Sequence, residues 1–193
     1  MRAESLGKAL AIATATLGLV FSTRADDVTA FNLVKEGDRY VGDDVKGKVV
    51  QIWSDKSNGV LTPIIWYVDY DDEDATFKIA EVKFEGGKKA SVRRPTRPLE
   101  LTGLNKEIMD RKKLNVDSDK ALAAVTGDSA LSGVKLKATQ FWLQSKDEGP
   151  TWKIRLWAEK TEHPDKEAEI GDIYISADDG KVIRRDLHLE HLR

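Results

Sequence analysis

The chain states one pattern twice, and that limits its possible folds more than any other feature. Residues 45–53 read VKGKVVQIW and residues 134–142 read VKLKATQFW, sharing Val, two Lys, Gln and Trp. One such match arises by chance in a chain of this size, so the weight rests on further matches downstream in the same order. Trp66, Val68 and Tyr70 correspond to Trp152, Ile154 and Leu156, then Val82 and Phe84 to Ile173 and Ile175, then Arg93 and Arg94 to Arg184 and Arg185. The run Leu99, Leu101, Leu104 returns as Leu187, Leu189, Leu192. The order is kept and the spacing drifts by only a few residues. This describes a tandem duplication of roughly 75–80 residues per unit, too long for a solenoid repeat and long enough for two small domains.

Each copy reads as a helix followed by strands. In the first, Asp26 and Asp27 offer N-caps to a short helix with Phe31 and Val34 on one face, ending at Gly37. In the second, Asp117 or Ser118 caps an Ala-rich helix whose apolar face is Ala121, Leu122 and Val125, ending at Gly127. Val50 and Ile52 then alternate with Gln51 and Trp53, and Trp66, Val68 and Tyr70 with Tyr67 and Asp69. A third strand reaches Phe84 before a Gly86-Gly87 turn, and a fourth holds Val92. The second copy repeats this through Phe141, a strand from Trp152 to Leu156, Ile173 and Ile175, a turn at Asp179-Gly180, and Val182.

A meander with one dry face needs a cover, and one amphipathic helix per copy is the cover at hand. The expected fold is therefore α+β: two tandem units, each one helix packed on an antiparallel β-meander sheet. The units span residues 26–104 and 115–193, with 105–114 as linker. Pro95, Pro98 and Gly103 interrupt the chain at this joint, and Asn105 to Lys113 reads as a short polar helix with Ile108 and Met109 on one side. The joint has no Gly/Ser tract, so the halves are expected to dock.

Composition narrows the setting. With 40% hydrophobic residues the chain has enough apolar material for one sizeable core or two modest ones. A net charge of -2 provides no field to recruit nucleic acid or an anionic membrane. Arg2 and Lys8 precede an apolar run from Ala9 to Phe21, followed by Ser22, Thr23, Arg24 and Ala25. That pattern predicts a signal peptide over residues 1–25, with an uncleaved membrane anchor as the other reading of the same segment. The mature protein is then periplasmic or secreted. The chain has no Cys, which removes disulfides, thiol nucleophiles, Cys metal sites and a lipoprotein anchor.

The second copy carries Ser118-Asp119-Lys120-Ala121-Leu122 at its helix start, a Trp152-Lys153-Ile154 strand, Ile173-Tyr174-Ile175, and an Asp179-Gly180-Lys181-Val182 turn. Over residues 115 to 186 this resembles a PepSY-type domain. The first copy departs from the pattern, with Glu85-Gly86-Gly87-Lys88 at the turn and no Asp-Lys-Ala helix start, and joins it through the internal repeat. The resemblance implies an exported binding or peptidase-regulating module. Two such units in tandem are similar in architecture to the beta-lactamase inhibitor protein, whose concave double sheet grips an enzyme.

No residue pattern here supports catalysis, and no enzyme activity is expected. There is no Gly-x-Ser-x-Gly elbow, no Cys and no Gly-rich phosphate loop. The acidic run Asp69, Asp71, Asp72, Glu73, Asp74 lacks the glycine and distal Glu of a calcium loop and reads as a solvated loop. His188 and His191 would approach each other on a helix, but the Leu187, Leu189 alternation predicts a strand that separates them. His163 lies near Glu162 and Asp165 and reads as a surface residue, so neither a metal nor a cofactor is expected. Lys88, Lys89, Arg93, Arg94 and Arg97, echoed by Arg184 and Arg185, either grip an acidic partner or keep a sheet edge from pairing.

The aromatic residues point furthest towards function. Trp53 and Trp142 share their strand faces with Gln51 and Gln140, and Trp157 shares a charged face with Lys153 and Arg155. Large amphipathic rings on a wet sheet face are the material of protein-binding hot spots, while core packing between the two units explains them as well and is the reading slightly favoured. The expected function is an exported, non-catalytic module for a protein or peptide partner such as a peptidase. Trp53, Trp142, Trp157, Tyr67, Gln51 and Gln140 form its partner-binding set. The alternative is a small-ligand or metal-binding periplasmic protein using a groove between the units or the pair His188 and His191.

Overall fold

The computed structural model describes residues 28–96 and 107–193. The signal-peptide reading, the Asp26 and Asp27 caps, Arg97 and the Leu99, Leu101, Leu104 run lie outside the described residues. In chain order the elements are α1 (Ala30–Gly37), β1 (Val49–Ser54), β2 (Ile65–Asp71), β3 (Ile79–Glu85) and β4 (Lys88–Arg93). They are followed by α2 (Ser118–Thr126), β5 (Leu136–Lys146), β6 (Gly149–Glu159), β7 (Glu167–Ser176) and β8 (Val182–Leu187).

The expected pair of separate helix-on-sheet units is not what forms. All eight strands make one antiparallel sheet in the order β4-β3-β2-β1-β5-β6-β7-β8. The joint is a direct ladder between β1 and β5, pairing Gln51 with Gln144, Ile52 with Leu143 and Trp53 with Trp142. Two isolated meanders would each leave an apolar strand with unpaired backbone groups at an edge, and joining those strands satisfies both. The two tryptophans that end the repeated segments face each other, so a local two-fold axis between them exchanges the halves.

The helices are also shared. Thr29, the N-cap of α1, makes no side-chain cap bond. The free N–H groups of that first turn are met from the other half: Ala30 N–H donates to Ser118 Oγ (3.0 Å) and Phe31 N–H to Asp117 Oδ1 (3.0 Å). The same Asp117 carboxylate accepts from Ser118 N–H at 2.7 Å, so one side chain serves the starts of α1 and α2. Both helices lie on the same face of the sheet.

Beneath them runs one core. Ile52, Val68, Phe84, Phe141, Ile154 and Ile173 are all at most 1% exposed and belong to a single cluster. Phe141 ties the halves together, with its ring 5.4 Å from Trp66 and 5.9 Å, edge-on, from Trp152. Phe31 of α1 reaches across to stack near Trp152 at 6.2 Å. The buried indoles stay satisfied, Trp66 donating to the Pro63 carbonyl (3.0 Å) and Trp152 to the Val116 carbonyl (2.8 Å).

The edges are charged. β4 is exposed along its whole length, and Arg184, Arg185 and Asp186 of β8 are exposed too. Arginines tie these edges to the rest of the fold: Arg93 of β4 to Glu81 of β3 (2.6 Å), Arg94 just after β4 to Asp72 just after β2 (2.7 Å), and Arg185 of β8 to Asp128 beyond α2 (2.9 Å). Gly171 is required where β7 meets β8, because at φ +106 an added Cβ would lie 2.0 Å from the Asp186 carbonyl oxygen.

Three local expectations are corrected. After β8 the chain turns into a 3-10 helix, Leu189–Leu192, rather than continuing as a strand, because Leu192 folds back on the core and its carbonyl accepts from Thr161 N–H (2.7 Å). The acidic run is not a wholly solvated loop, since Asp69 and Asp72 are buried, at 4% and 1% exposure. Of the expected helix from Asn105 to Lys113, the described part holds only a 3-10 turn, Arg111–Lys113, while Met109 enters the core and its N–H donates to the Val49 carbonyl (2.8 Å). No helix among the described residues is long and apolar enough to cross a membrane.

Candidate recognition face

Strand alternation sends one set of side chains under the helices and the other to the opposite side. The second set comprises Gln51 and Trp53 on β1, Tyr67 and Asp69 on β2, Glu81 and Lys83 on β3, with Gln140, Trp142 and Gln144 on β5. It continues through Lys153, Arg155 and Trp157 on β6 and Asp172 and Tyr174 on β7. Neither helix covers this face. The six residues singled out from the sequence, Trp53, Trp142, Trp157, Tyr67, Gln51 and Gln140, all stand on it. The rings are half-buried rather than free, and Gln51 is buried.

Trp53 and Trp142 meet at the axis, and beside them the Gln144 side-chain amide donates to Gln51 Oε1. Gln140 turns its Nε2 to the Ser54 carbonyl at 3.0 Å. Trp157 lies further out, with the Lys56 ammonium 4.4 Å from its ring.

In the first half the face is closed on itself. The Trp53 and Tyr67 rings stack at 3.8 Å and 9°, and Trp53 Nε1 donates to Asp69 Oδ2 at 2.9 Å. Tyr67 donates its hydroxyl to Asp55 Oδ2 (3.3 Å), and burial followed by that negative neighbour pushes the phenol up to about 12. Burial, with Glu81 directly across the ladder, holds the Asp69 carboxyl well above the usual carboxylate range. Its Oδ1 has no hydrogen-bond partner among the described residues. Arg93 grips both oxygens of Glu81, at 2.6 and 3.3 Å.

In the second half the same places hold cations. Register pairs Trp142 with Lys153 as it pairs Trp53 with Tyr67, and pairs Gln140 with Arg155 as it pairs Gln51 with Asp69. The Lys153 ammonium lies 5.0 Å and the Arg155 guanidinium 5.5 Å from the Trp142 ring. Asp172 beside them on β7 takes a hydrogen bond from Arg155 Nε (3.0 Å) and an ion pair with Lys153 (3.2 Å), that hydrogen bond keeps the Arg155 guanidinium above its ordinary range, and Glu169 lies 3.5 Å from the same Nε. Arg184 stacks over Tyr174 at 4.1 Å. Between these groups lies a cleft of about 380 Å³ walled by Trp142, Gln144, Lys146, Lys153, Arg155 and Tyr174. A neighbouring cleft of about 480 Å³ shares Lys146, Thr151 and Tyr174 with it and adds Arg184.

The arrangement provides flat apolar contact bordered by positive charge. Among the described residues no group of three or more His, Asp or Glu is placed to hold a metal ion. The 3-10 turn does bring His188 and His191 together, their rings 5.5 Å apart, contrary to the expected strand, and His191 Nδ1 lies 2.9 Å from the Glu169 carbonyl oxygen. The sequence reading missed Asp69, Glu81, Tyr174 and the place of Lys153 and Arg155 beside Trp142. Alternation already set Lys153 and Arg155 on the face of Trp157, and only the cross-strand register brings them to Trp142. Comparison with protein-family models, with curated proteins and with solved structures gave no match.

Proposed function

We propose that this protein is an exported, non-catalytic recognition module that holds a protein or peptide partner, such as a peptidase, against the uncovered face of its sheet. The observation that carries the reading is the set of half-buried tryptophans and tyrosines at the centre of a face that neither helix covers. Rings fixed on paired strands lose little conformational freedom on binding, so contact area there converts efficiently into affinity. Flanking lysines and arginines supply the polar border that such contacts use for orientation. Export rests on the charged start and short apolar run within residues 1–25.

The test places a photo-crosslinking amino acid at position 142 or 157, and as control at Lys120, an exposed residue of α2 on the opposite side. Proteins from the exporting cell's periplasm or medium should be captured at 142 and 157 and not at 120. Equal capture at all three positions would remove the uncovered face from consideration.

A further inference from the structure

The two halves of the uncovered face are built alike and differ in a way that names a ligand. In the first half Trp53 has what an indole on a sheet can use: an aromatic ring stacked on it and a carboxylate accepting its N–H. In the second half Trp142 has neither, because Tyr67 is replaced in register by Lys153 and Asp69 by Arg155. The Trp142 N–H makes no hydrogen bond to any described residue, and an open cleft stands where the first half is filled.

The charged side chains lining that cleft, Lys146, Lys153 and Arg155, are all cations. Lys153 and Arg155 share the Asp172 carboxylate on the neighbouring strand, and Glu169 lies 3.5 Å from Arg155 Nε. Lys146 and Arg184 have no carboxylate within ion-pair distance among the described residues. No acidic side chain lines the cleft itself, and Asp147 and Glu148, which follow Lys146 in the chain, are exposed and line the neighbouring one. Cations held over ring faces at the edge of a half-buried cleft are positioned for an anion, since the ring contact orients them and leaves their charge in place.

We propose that the cleft beside Trp142 takes a carboxylate from an acidic segment of the protein or peptide partner, between Lys146, Lys153 and Arg155. This rests on the recognition reading above and adds the chemistry of what is recognised. The partner's carboxylate takes the part that Asp69 plays for Trp53, and an aromatic neighbour of that carboxylate takes the part of Tyr67.

The five tryptophan indole N–H signals of the full mature chain, resolved by 15N NMR, provide the readout. The probe is the peptide acetyl-(Glu-Tyr)3-amide, compared with acetyl-(Gln-Tyr)3-amide. The Glu peptide should shift the Trp142 signal and leave Trp53 in place. Removing one cation by Lys146→Ala or Lys153→Ala should weaken that binding about tenfold, while Lys88→Ala with Lys89→Ala on the β4 edge should leave it unchanged. The proposal is overturned if the Gln peptide shifts Trp142 at the same concentrations, if the β4 variant loses as much as the cleft variants, or if the Glu peptide shifts no indole of this face. Each of those results leaves crosslinking at 142 and 157 intact as the measure of the broader reading. Loss of that crosslinking with the Glu-peptide shift retained would instead refute partner capture and keep the anion cleft.

Discussion

Replacing Phe141 with alanine tests whether the halves stand or fall together. Phe141 is 1% exposed and belongs to β5, yet its ring contacts Trp66 of the first half at 5.4 Å and Trp152 of the second at 5.9 Å. Truncating a buried Phe costs about 3–5 kcal/mol, and the loss of two aromatic pairs places this site in the upper part of that range. For a chain of this size each kcal/mol moves the melting temperature by roughly 2–4 °C, so Phe141→Ala should melt about 8–20 °C below the wild type. Differential scanning calorimetry should show one transition in both proteins, displaced as a whole. Ile183→Ala, at a position 41% exposed on β8, should move the peak by no more than a degree or two, since surface changes of this kind stay within about 0.5 kcal/mol. Two wild-type transitions, or a variant in which one moves and the other stays, would refute a shared core.

Two more outcomes rest on single groups. The Asp69 carboxyl is raised in the folded state, so the native protein binds more protons than the unfolded chain above the ordinary Asp range. Its contribution to stability is complete at acid pH and is lost as pH rises through the folded value. Asp69→Asn removes that loss, and urea denaturation between pH 4 and 8 should show a variant that gains on the wild type as pH increases, whereas a constant difference would contradict the assignment. Gly171→Ala forces a Cβ to within 2.0 Å of the Asp186 carbonyl oxygen at a φ of +106, and should cost at least about 2 kcal/mol with faster amide exchange along β8. An unchanged melting temperature would show that β8 is not held there.

Local structure is largely legible in the sequence because it is dictated by near neighbours. Asp117 caps α2, Gly127 closes it, and the alternation of Trp152, Ile154 and Leu156 with Lys153, Arg155 and Trp157 sorts buried from half-buried side chains. The joining of the halves is not legible, since pairing between β1 and β5 depends on two segments far apart in sequence whose patterns suit any antiparallel neighbour. One pointer exists: β4 and β8 each carry a basic pair or cluster, Lys88, Lys89 and Arg93 in one and Arg184 and Arg185 in the other, while the Val49 to Trp53 stretch carries no charge, as suits strands at an edge and at a centre respectively. The tail misleads because Leu187 and Leu189 fit a strand, whereas Leu192 gains more by folding onto the core. Asp69 misleads because clustered acids favour water, and nothing local announces the Trp53 N–H that meets it.

The meeting of Trp53 with Trp142 across β1 and β5 places corresponding residues of the two copies on either side of one axis. Two identical chains associating through that strand would form the same contact, and any change at the axis would then appear on both sides at once. Within one polypeptide each side varies alone. That independence is what allows one tryptophan to be stoppered by Tyr67 and Asp69 of its own chain while its counterpart keeps an open cleft beside it, a divergence closed to a symmetric pair.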